Sequence, residues 1–265
     1  LGQFIPLHYH FNMLRDQVRV DAFQEAIGRA TKPGARVLEL GGGTGILSFL
    51  AARKAAKVWC VEHNPALVEA SRRFLAQNQA GDHVEVVEAD ACDFVPAEPV
   101  DLVICEMLHS ALLREKQIAV IQAFKDHYTK KFPGELPVFL PEATFLAVQP
   151  VSQSFEFAGY QAPIPVFQIP GLEQQDTAGL SDPTVYQVVC YEQSLPTRID
   201  WQGDVVATEP GQLNAIRFVT KNVLAVLVRE QRAIEWNNQH LILPLNEPID
   251  VERGDAIRIQ FTYEA

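Results

Sequence analysis

The residues best suited to chemistry are acids and glycines that recur where short apolar runs end. In Val37-Leu38-Glu39-Leu40-Gly41-Gly42-Gly43-Thr44-Gly45-Ile46-Leu47, a carboxylate stands two residues ahead of a GxGxG turn. Arg36 to Leu40 reads as a buried strand, bounded by Pro33-Gly34 and by the glycines, and Ile46 to Arg53 reads as the opening of a helix. In a strand–glycine turn–helix layout the backbone can approach a ligand closely, because no Cβ intervenes. A dinucleotide-binding turn follows GxGxxG and would need its third glycine where Ile46 stands. The Glu39 carboxylate would also repel a pyrophosphate; it suits a ligand with a cationic group, such as an α-ammonium or a sulfonium. Lys57 to Glu62 is a second strand ending in an acid 17 residues beyond Gly45, placed to accept both hydroxyls of a ribose. Val100 to Cys105 reads as a fourth buried strand with Glu106 at its carboxyl tip, where ligands collect in an open α/β sheet. Glu115, the next acid, follows nine residues later.

The E/DxGxGxG pattern is the signature of class I S-adenosylmethionine methyltransferases, and the flanking residues resemble one branch of them, the protein arginine methyltransferases. Met13-Leu-Arg-Asp16-Gln-Val-Arg19 resembles that branch's M-L-x-D-x-x-R segment, which lies over the bound cofactor. The resemblance implies that Arg19 grips the cofactor carboxylate, a pairing that the guanidinium fork makes well. It also implies that Ala89-Asp90-Ala91 reads the adenine through an acid and a backbone amide. Asp90 and Ala91 are the candidates, although in the arginine branch the acid falls a residue or two later, at Cys92 and Asp93 here. The cofactor set is then Arg19, Glu39, Gly41, Gly43, Gly45, Glu62, Asp90 and Ala91, holding S-adenosyl-L-methionine and, after transfer, S-adenosyl-L-homocysteine.

Glu106 and Glu115 match in spacing the branch's double-glutamate loop, which makes them the catalytic candidates. A guanidinium is planar with donors in a fixed fork, so two carboxylates can hold it from two edges and present a terminal nitrogen to the methyl. Two departures stand out. The branch's Trp-Met-Gly-Tyr is Met107-Leu108-His109-Ser110 here, which sets His109 where a glycine usually lies. The branch's Thr-His-Trp, whose His pairs with the Asp matching Asp16, is Ile234-Glu235-Trp236. Glu235 and Asp16 are therefore expected to face each other as two carboxylates, with His109 as the substitute proton acceptor.

The elements that must position these groups follow from pattern. Asp16 caps a helix to about Ala30 with Val20, Phe23 and Ile27 on one face; Asn64-Pro65 opens another, with Leu67, Ala70, Phe74 and Leu75 apolar. Gly81-Asp82 closes the loop before a third strand over His83 to Glu88, and Ile118, Ile121 and Phe124 mark a helix behind Glu115. Twelve of the 17 prolines lie from Pro133 onward. Beyond Pro141 short strand-like runs follow without βα alternation: Thr144 to Val148, Val185 to Tyr191, Val205 to Thr208, Ala215 to Val228, His240 to Leu243 and Ala256 to Tyr263, with a turn at Arg253-Gly254-Asp255. The fold class is a Rossmann-like α/β methyltransferase domain with an N-terminal helix over residues 1–140, followed by an antiparallel β-barrel or sandwich over 141–265. By resemblance, Leu245 to Ile257 corresponds to the barrel's closing strands. Gln161 to Asp182 is a reduced dimerisation arm or a plain loop, and the Val228–Trp236 segment is short.

Bulk properties fit an ordinary soluble globular protein: 265 residues, 48% hydrophobic and 21% charged. A net charge of −11 argues against a phosphate-backbone partner and fits a basic peptide or protein acceptor. No run reaches the ~20 apolar residues of a membrane span. The chain begins with Leu1, so preceding residues are expected to be missing. Cys60, Cys92, Cys105 and Cys190 lack metal-ligand spacing, and His8-x-His10 lacks a third ligand, so no metal is expected and a reducing cytoplasm is. The expected function is methyl transfer from S-adenosylmethionine to an arginine nitrogen, in a homodimer if the arm is kept. The alternatives are another nitrogen acceptor, on a protein or a small molecule, and a non-catalytic scaffold.

Overall fold

The computed structural model describes residues 5–78, 81–171 and 175–264. Its first half alternates strand and helix. α1 (Leu7–Arg15) and α2 (Gln17–Ala30) precede β1 (Arg36–Leu40), which is followed by α3 (Ile46–Ala52), β2 (Lys57–Glu62), α4 (Pro65–Ala76) and β3 (Val84–Glu88). Then come β4 (Leu102–Cys105), α5 (Gln117–Lys131) and β5 (Val138–Leu140). These five strands form one parallel sheet in the order β3-β2-β1-β4-β5. Strands β1 and β4 are buried almost throughout, because a parallel sheet is covered on both faces by its crossover helices.

The helix expected from Asp16 is α2: the Asp16 carboxylate accepts from the Arg19 amide at 3.0 Å, and Phe23, Ala26 and Ile27 form the buried face. Asn64 likewise caps α4 through the Ala66 amide at 3.0 Å, with Pro65 in the first turn. No helix is expected ahead of Asp16, yet Leu7, Phe11 and Leu14 recur at helical spacing along α1. It buries none of its residues and leaves these three and Tyr9 exposed.

After the parallel sheet the chain builds an antiparallel one. β6 (Ala143–Gln153) precedes the short hairpin β7 (Glu156–Phe157) and β8 (Tyr160–Gln161), then β9 (Val166–Gln168), β10 (Thr177–Gly179) and β11 (Thr184–Cys190). β12 (Arg198–Val206), β13 (Gly211–Leu227), β14 (Arg232–Asn237), β15 (His240–Val251) and β16 (Ala256–Glu264) complete it. The main sheet runs β10-β6-β13-β15-β9, with β11 on β6 and β14 on β13, while β12 and β16 pair separately as a ribbon. Between them lies an aromatic layer, in which Phe261 of the ribbon meets Tyr186 at 5.0 Å and Phe218 at 5.3 Å between ring centroids. Among the described residues the ladders do not close, so of the two expected arrangements this is the sandwich.

Several strands run further than their apolar cores. β6 continues past Val148 because Gln149 and Gln153 find partners: Arg217 Nε donates to Gln149 at 2.9 Å, and Asn214 accepts from the Gln153 amide at 2.8 Å. β12 begins at Arg198, since its polar residues alternate on the solvent side, with Asp204 held by Arg258 at 2.8 Å. The Gln161–Asp182 segment contributes β9 and β10 to the sheet, and its residues 172–174 lie outside the described residues. No helix among the described residues is long and apolar enough to cross a membrane.

Candidate active site

The strand order reverses between β1 and β4, so the loops leaving their carboxyl ends diverge and open a cleft. Its volume is about 420 Å³. The glycine turn forms its floor, with the amides of Gly41 and Gly42 donating to Val61 O at 3.0 and 2.8 Å. Gly43 has φ +54°, and a Cβ there would stand 2.9 Å from His10 Cε1, so a side chain at this position is strained and presses on the His10 ring. Gly45 is not part of the lining. It caps α3 from beneath at φ +80°, where a Cβ would stand 3.1 Å from Leu75 Cδ1.

The strand-end acids line the same cleft. Glu62, ending β2, accepts from the Gly43 amide at 2.8 Å and the Asn64 amide at 2.7 Å. A carboxylate has about four lone-pair sites, so capacity remains for a pair of ligand hydroxyls. Asp90 and Ala91, after β3, lie on one wall, and Asp90 holds the Cys92 amide at 2.8 Å. Glu39 reaches the lining although it is 2% exposed, and its Oε2 is committed to Ser48, whose amide donates at 2.8 Å. Burial pushes the Glu39 carboxyl up to about 8 against those hydrogen bonds. The acid expected to neutralise a cation thus also satisfies an early amide of α3.

Arg19, Glu106 and Glu115 complete the cleft. The guanidinium of Arg19 forms an ion pair with Glu106, and both side chains are nearly buried. Burial works against the Arg19 charge, but Glu106 outweighs it and raises the pKa. Burial pushes Glu106 up while Arg19 pulls it back. Glu115 rises to about 7, first through burial and then through the charge of Glu106. It sits on a loop in which Ala111, Leu112, Glu115 and Lys116 all have positive φ between 55° and 64°. Such backbone persists only where its surroundings over-determine it.

Two expectations are overturned. Glu235 does not face Asp16. Side chains alternate along a strand, and on β14 Trp236 turns inward to Phe23 at 6.0 Å and to Arg19 at 5.9 Å. Glu235 therefore turns outward and pairs with Lys221 at 2.8 Å. His109 does not line the cleft; its Nδ1 lies 3.1 Å from Ser110 O and its ring packs edge-on against Phe167 at 5.7 Å. It is not placed to take a proton from a substrate there.

The residue that sequence reasoning missed is His10, weighed only as a metal ligand. It lines the cleft against Gly43, burial lowers its pKa, and its Nε2 is buried without a partner among the described residues. The spacing of Leu7, Phe11 and Leu14 marks the helix, but nothing local shows that His10 meets the glycine turn. Among the described residues no three His, Cys, Asp or Glu side chains gather as a metal site. The glycine turn pressed by His10, the orphaned Nε2, the spare capacity of Glu62 and the Arg19 fork fit a ribose and an amino-acid carboxylate, as S-adenosylmethionine carries.

Comparison with known proteins agrees. Residues 37–131 match the family model described as a methyltransferase domain. An uncharacterized protein from Methanothermobacter thermautotrophicus is 30% identical over 96% of this chain and 92% of its own. The arginine N(omega)-methyltransferase of Streptomyces achromogenes is 28% identical over 72% of this chain and 50% of its own. The chain spans half or less of the length of the named arginine methyltransferases it matches in sequence. In fold it is similar to Arabidopsis thaliana protein arginine methyltransferase 10, with TM-score 0.79, 20% identity and coverage of 96% of this chain and 86% of that one. The Trypanosoma brucei enzyme–prozyme complex with S-adenosylhomocysteine follows at TM-score 0.77 and 16% identity, over 97% and 87% of the two chains. The chain belongs to the class I S-adenosylmethionine-dependent methyltransferases, as a divergent member resembling the protein arginine methyltransferases.

Proposed function

We propose that the protein methylates a guanidinium nitrogen held between Glu106 and Glu115. The observation that carries this reading is the convergence of the two acids on the cleft floored by the glycine turn, close enough for the charge of Glu106 to raise the pKa of Glu115. S-adenosylmethionine bound there supplies an electrophilic methyl group on a positively charged sulfur. The chain's own residues do the rest by binding and orientation. Arg19 takes the cofactor carboxylate, Glu62 the ribose hydroxyls, and Asp90 with Ala91 the adenine. Gly41 and Gly43 keep the floor open, while Gly45 shapes the turn from beneath. The two carboxylates grip the acceptor's fork, and such alignment supplies ~7–11 kcal/mol of a bimolecular barrier. An incoming cation favours the ionised form of Glu115, whose pKa of about 7 suits it to accept the proton that the nitrogen loses.

The Streptomyces relative is named for arginine itself, and relatives from rice and frog for protein arginine. The guanidinium is common to both, and the net charge of −11 favours a basic carrier. A small-molecule acceptor is the second reading, favoured by the short turn Val228–Glu230 between β13 and β14, which leaves that side of the chain low. The exposed Ile164 and Phe167 within Gln161–Asp182 fit a reduced dimerisation arm, so a homodimer is expected in sedimentation equilibrium. The four free cysteines fit a reducing, cytoplasmic setting.

The test is transfer of a radiolabelled methyl to an arginine-rich peptide, to free arginine and to a lysine-rich peptide, followed by acid hydrolysis. Methylarginine from either of the first two, lost in Glu115→Gln, supports the reading. Label in another product overturns the guanidinium acceptor, and no transfer despite cofactor binding favours a scaffold.

A further inference from the structure

Glu106 is gripped from behind by a buried hydrogen-bond circuit that leaves the parallel sheet and returns to it. Gln117, the first residue of α5, is 1% exposed. Its Oε1 accepts from the Met107 amide at 2.8 Å and its Nε2 donates to Cys105 O at 2.7 Å, so one side chain ties the backbone on both sides of Glu106. The hydroxyl of Tyr191, just beyond β11, lies near Gln117. That hydroxyl lies 2.8 Å from Thr144 Oγ1 on β6, and Thr144 in turn donates to Asn222 Oδ1 on β13 at 2.8 Å. A threonine hydroxyl has one proton, so Tyr191 is the donor to Thr144. Asn222 Nδ2 then donates to Asn238 Oδ1 at 2.8 Å, and Asn238 Nδ2 donates to Leu108 O at 3.2 Å.

The ring starts at the Met107 amide and closes on the Leu108 carbonyl, and from Tyr191 onward every donor points the same way. Bonds aligned head to tail polarise one another, and a fully satisfied buried network rigidifies what it holds. Gln117, Thr144, Tyr191, Asn222 and Asn238 are all buried. Burying five polar side chains is costly unless all are paired, and apolar residues would fill the same space at less cost. Apart from its own side chains, the ring touches backbone at Cys105, Met107 and Leu108. The same sheet also holds the following loop, with Thr220 Oγ1 accepting from the Ala111 amide at 2.7 Å and Gln239 O from Ser110 Oγ at 2.5 Å.

We infer that the antiparallel sheet acts on the chemistry through this ring. Gln117, Tyr191, Thr144, Asn222 and Asn238 are positioning residues that fix the backbone carrying Glu106, and so the direction in which the first acid meets the acceptor. The acceptor part rests on the function proposed above; the clamping of residues 105–108 does not.

The test uses the full chain with Tyr191→Phe, which removes one hydroxyl, and Gln117→Met, which keeps length and loses both backbone ties. Tyr186→Phe is the control, since its hydroxyl, on β11 of the same antiparallel sheet, meets Tyr263 of the ribbon outside the ring. Hydrogen exchange of the 105–108 amides is read by mass spectrometry, S-adenosylhomocysteine binding by calorimetry, and transfer as kcat and KM. Both ring variants should speed exchange at 105–108 at least tenfold and lower kcat at least tenfold. Cofactor KM and S-adenosylhomocysteine affinity should stay within about threefold, and the control should do neither. Unchanged exchange at 105–108 in folded Tyr191→Phe, or an equal kcat loss in the control, overturns the inference. If Gln117→Met fails to fold, Tyr191→Phe decides alone. If the wild-type protein transfers no methyl, the functional reading fails and the exchange result still decides the clamp.

Discussion

Glu115→Gln should remove a pH-dependent loss of stability that the wild-type protein carries. Burial, and then the charge of Glu106, raise the Glu115 pKa from 4.5 to about 7. At 1.36 kcal/mol for each tenfold change this disfavours the ionised form by ~3 kcal/mol, and the solvent still reaching this side chain reduces it to ~2 kcal/mol. A carboxyl with a raised pKa binds its proton more tightly in the folded state. Its stabilising contribution is therefore complete below pH 4.5 and is lost as pH rises through about 7. Urea denaturation of both proteins at pH 5 and pH 8 measures the term, because the remaining titrations, Glu39 at about 8 among them, are shared and cancel. The stability difference should move by ~2 kcal/mol in favour of Glu115→Gln between the two pH values. Parallel behaviour within ~0.5 kcal/mol would refute the reasoning, since Glu115 would then not lie buried beside Glu106.

Other outcomes follow from the same geometry. Arg19→Met leaves Glu106 buried without its guanidinium, so the urea midpoint should fall by the equivalent of ~3–5 kcal/mol. S-adenosylhomocysteine affinity should drop at least tenfold in calorimetry, and an unchanged midpoint would contradict the ion pair. Gly43→Ala forces a side chain into φ +54° and to 2.9 Å from His10 Cε1, a strain of ~1–2 kcal/mol before the clash. It should abolish cofactor binding, with partial recovery when His10→Ala is added. His109→Ala should leave transfer within about twofold of wild type, because the ring faces Phe167 outside the cleft; a tenfold loss would return His109 to the chemistry.

The parallel half was legible because its signals are local. A buried strand, a glycine turn and a cap each declare themselves within a few residues, and the predicted second strand, Lys57 to Glu62, coincides with β2. The antiparallel half was legible as a class but blurred in extent. Polar residues such as Gln149 ended the apparent run, and only cross-strand partners far along the chain show why the strand continues. Helix α1 shows its period in Leu7, Phe11 and Leu14, but the contact of His10 with the glycine turn is made only across the fold, so His10 was invisible as a cleft wall.

The sequence by itself determined the chemical types and their order: the acid before the glycine turn, the acid ending the second strand, and Glu106 and Glu115 nine residues apart. Those depend on covalent spacing within single elements. Only the tertiary structure decided which way side chains turn and what they meet. Trp236 rather than Glu235 faces Arg19, because strand alternation allows one of two neighbours inward and packing against α2 selects the apolar ring. Glu39 and Glu115 acquire raised pKa values from burial that no spacing encodes. Glu106 is held through Tyr191, Thr144, Asn222 and Asn238, residues 38 to 132 positions away along the chain, which only folding brings behind one carboxylate.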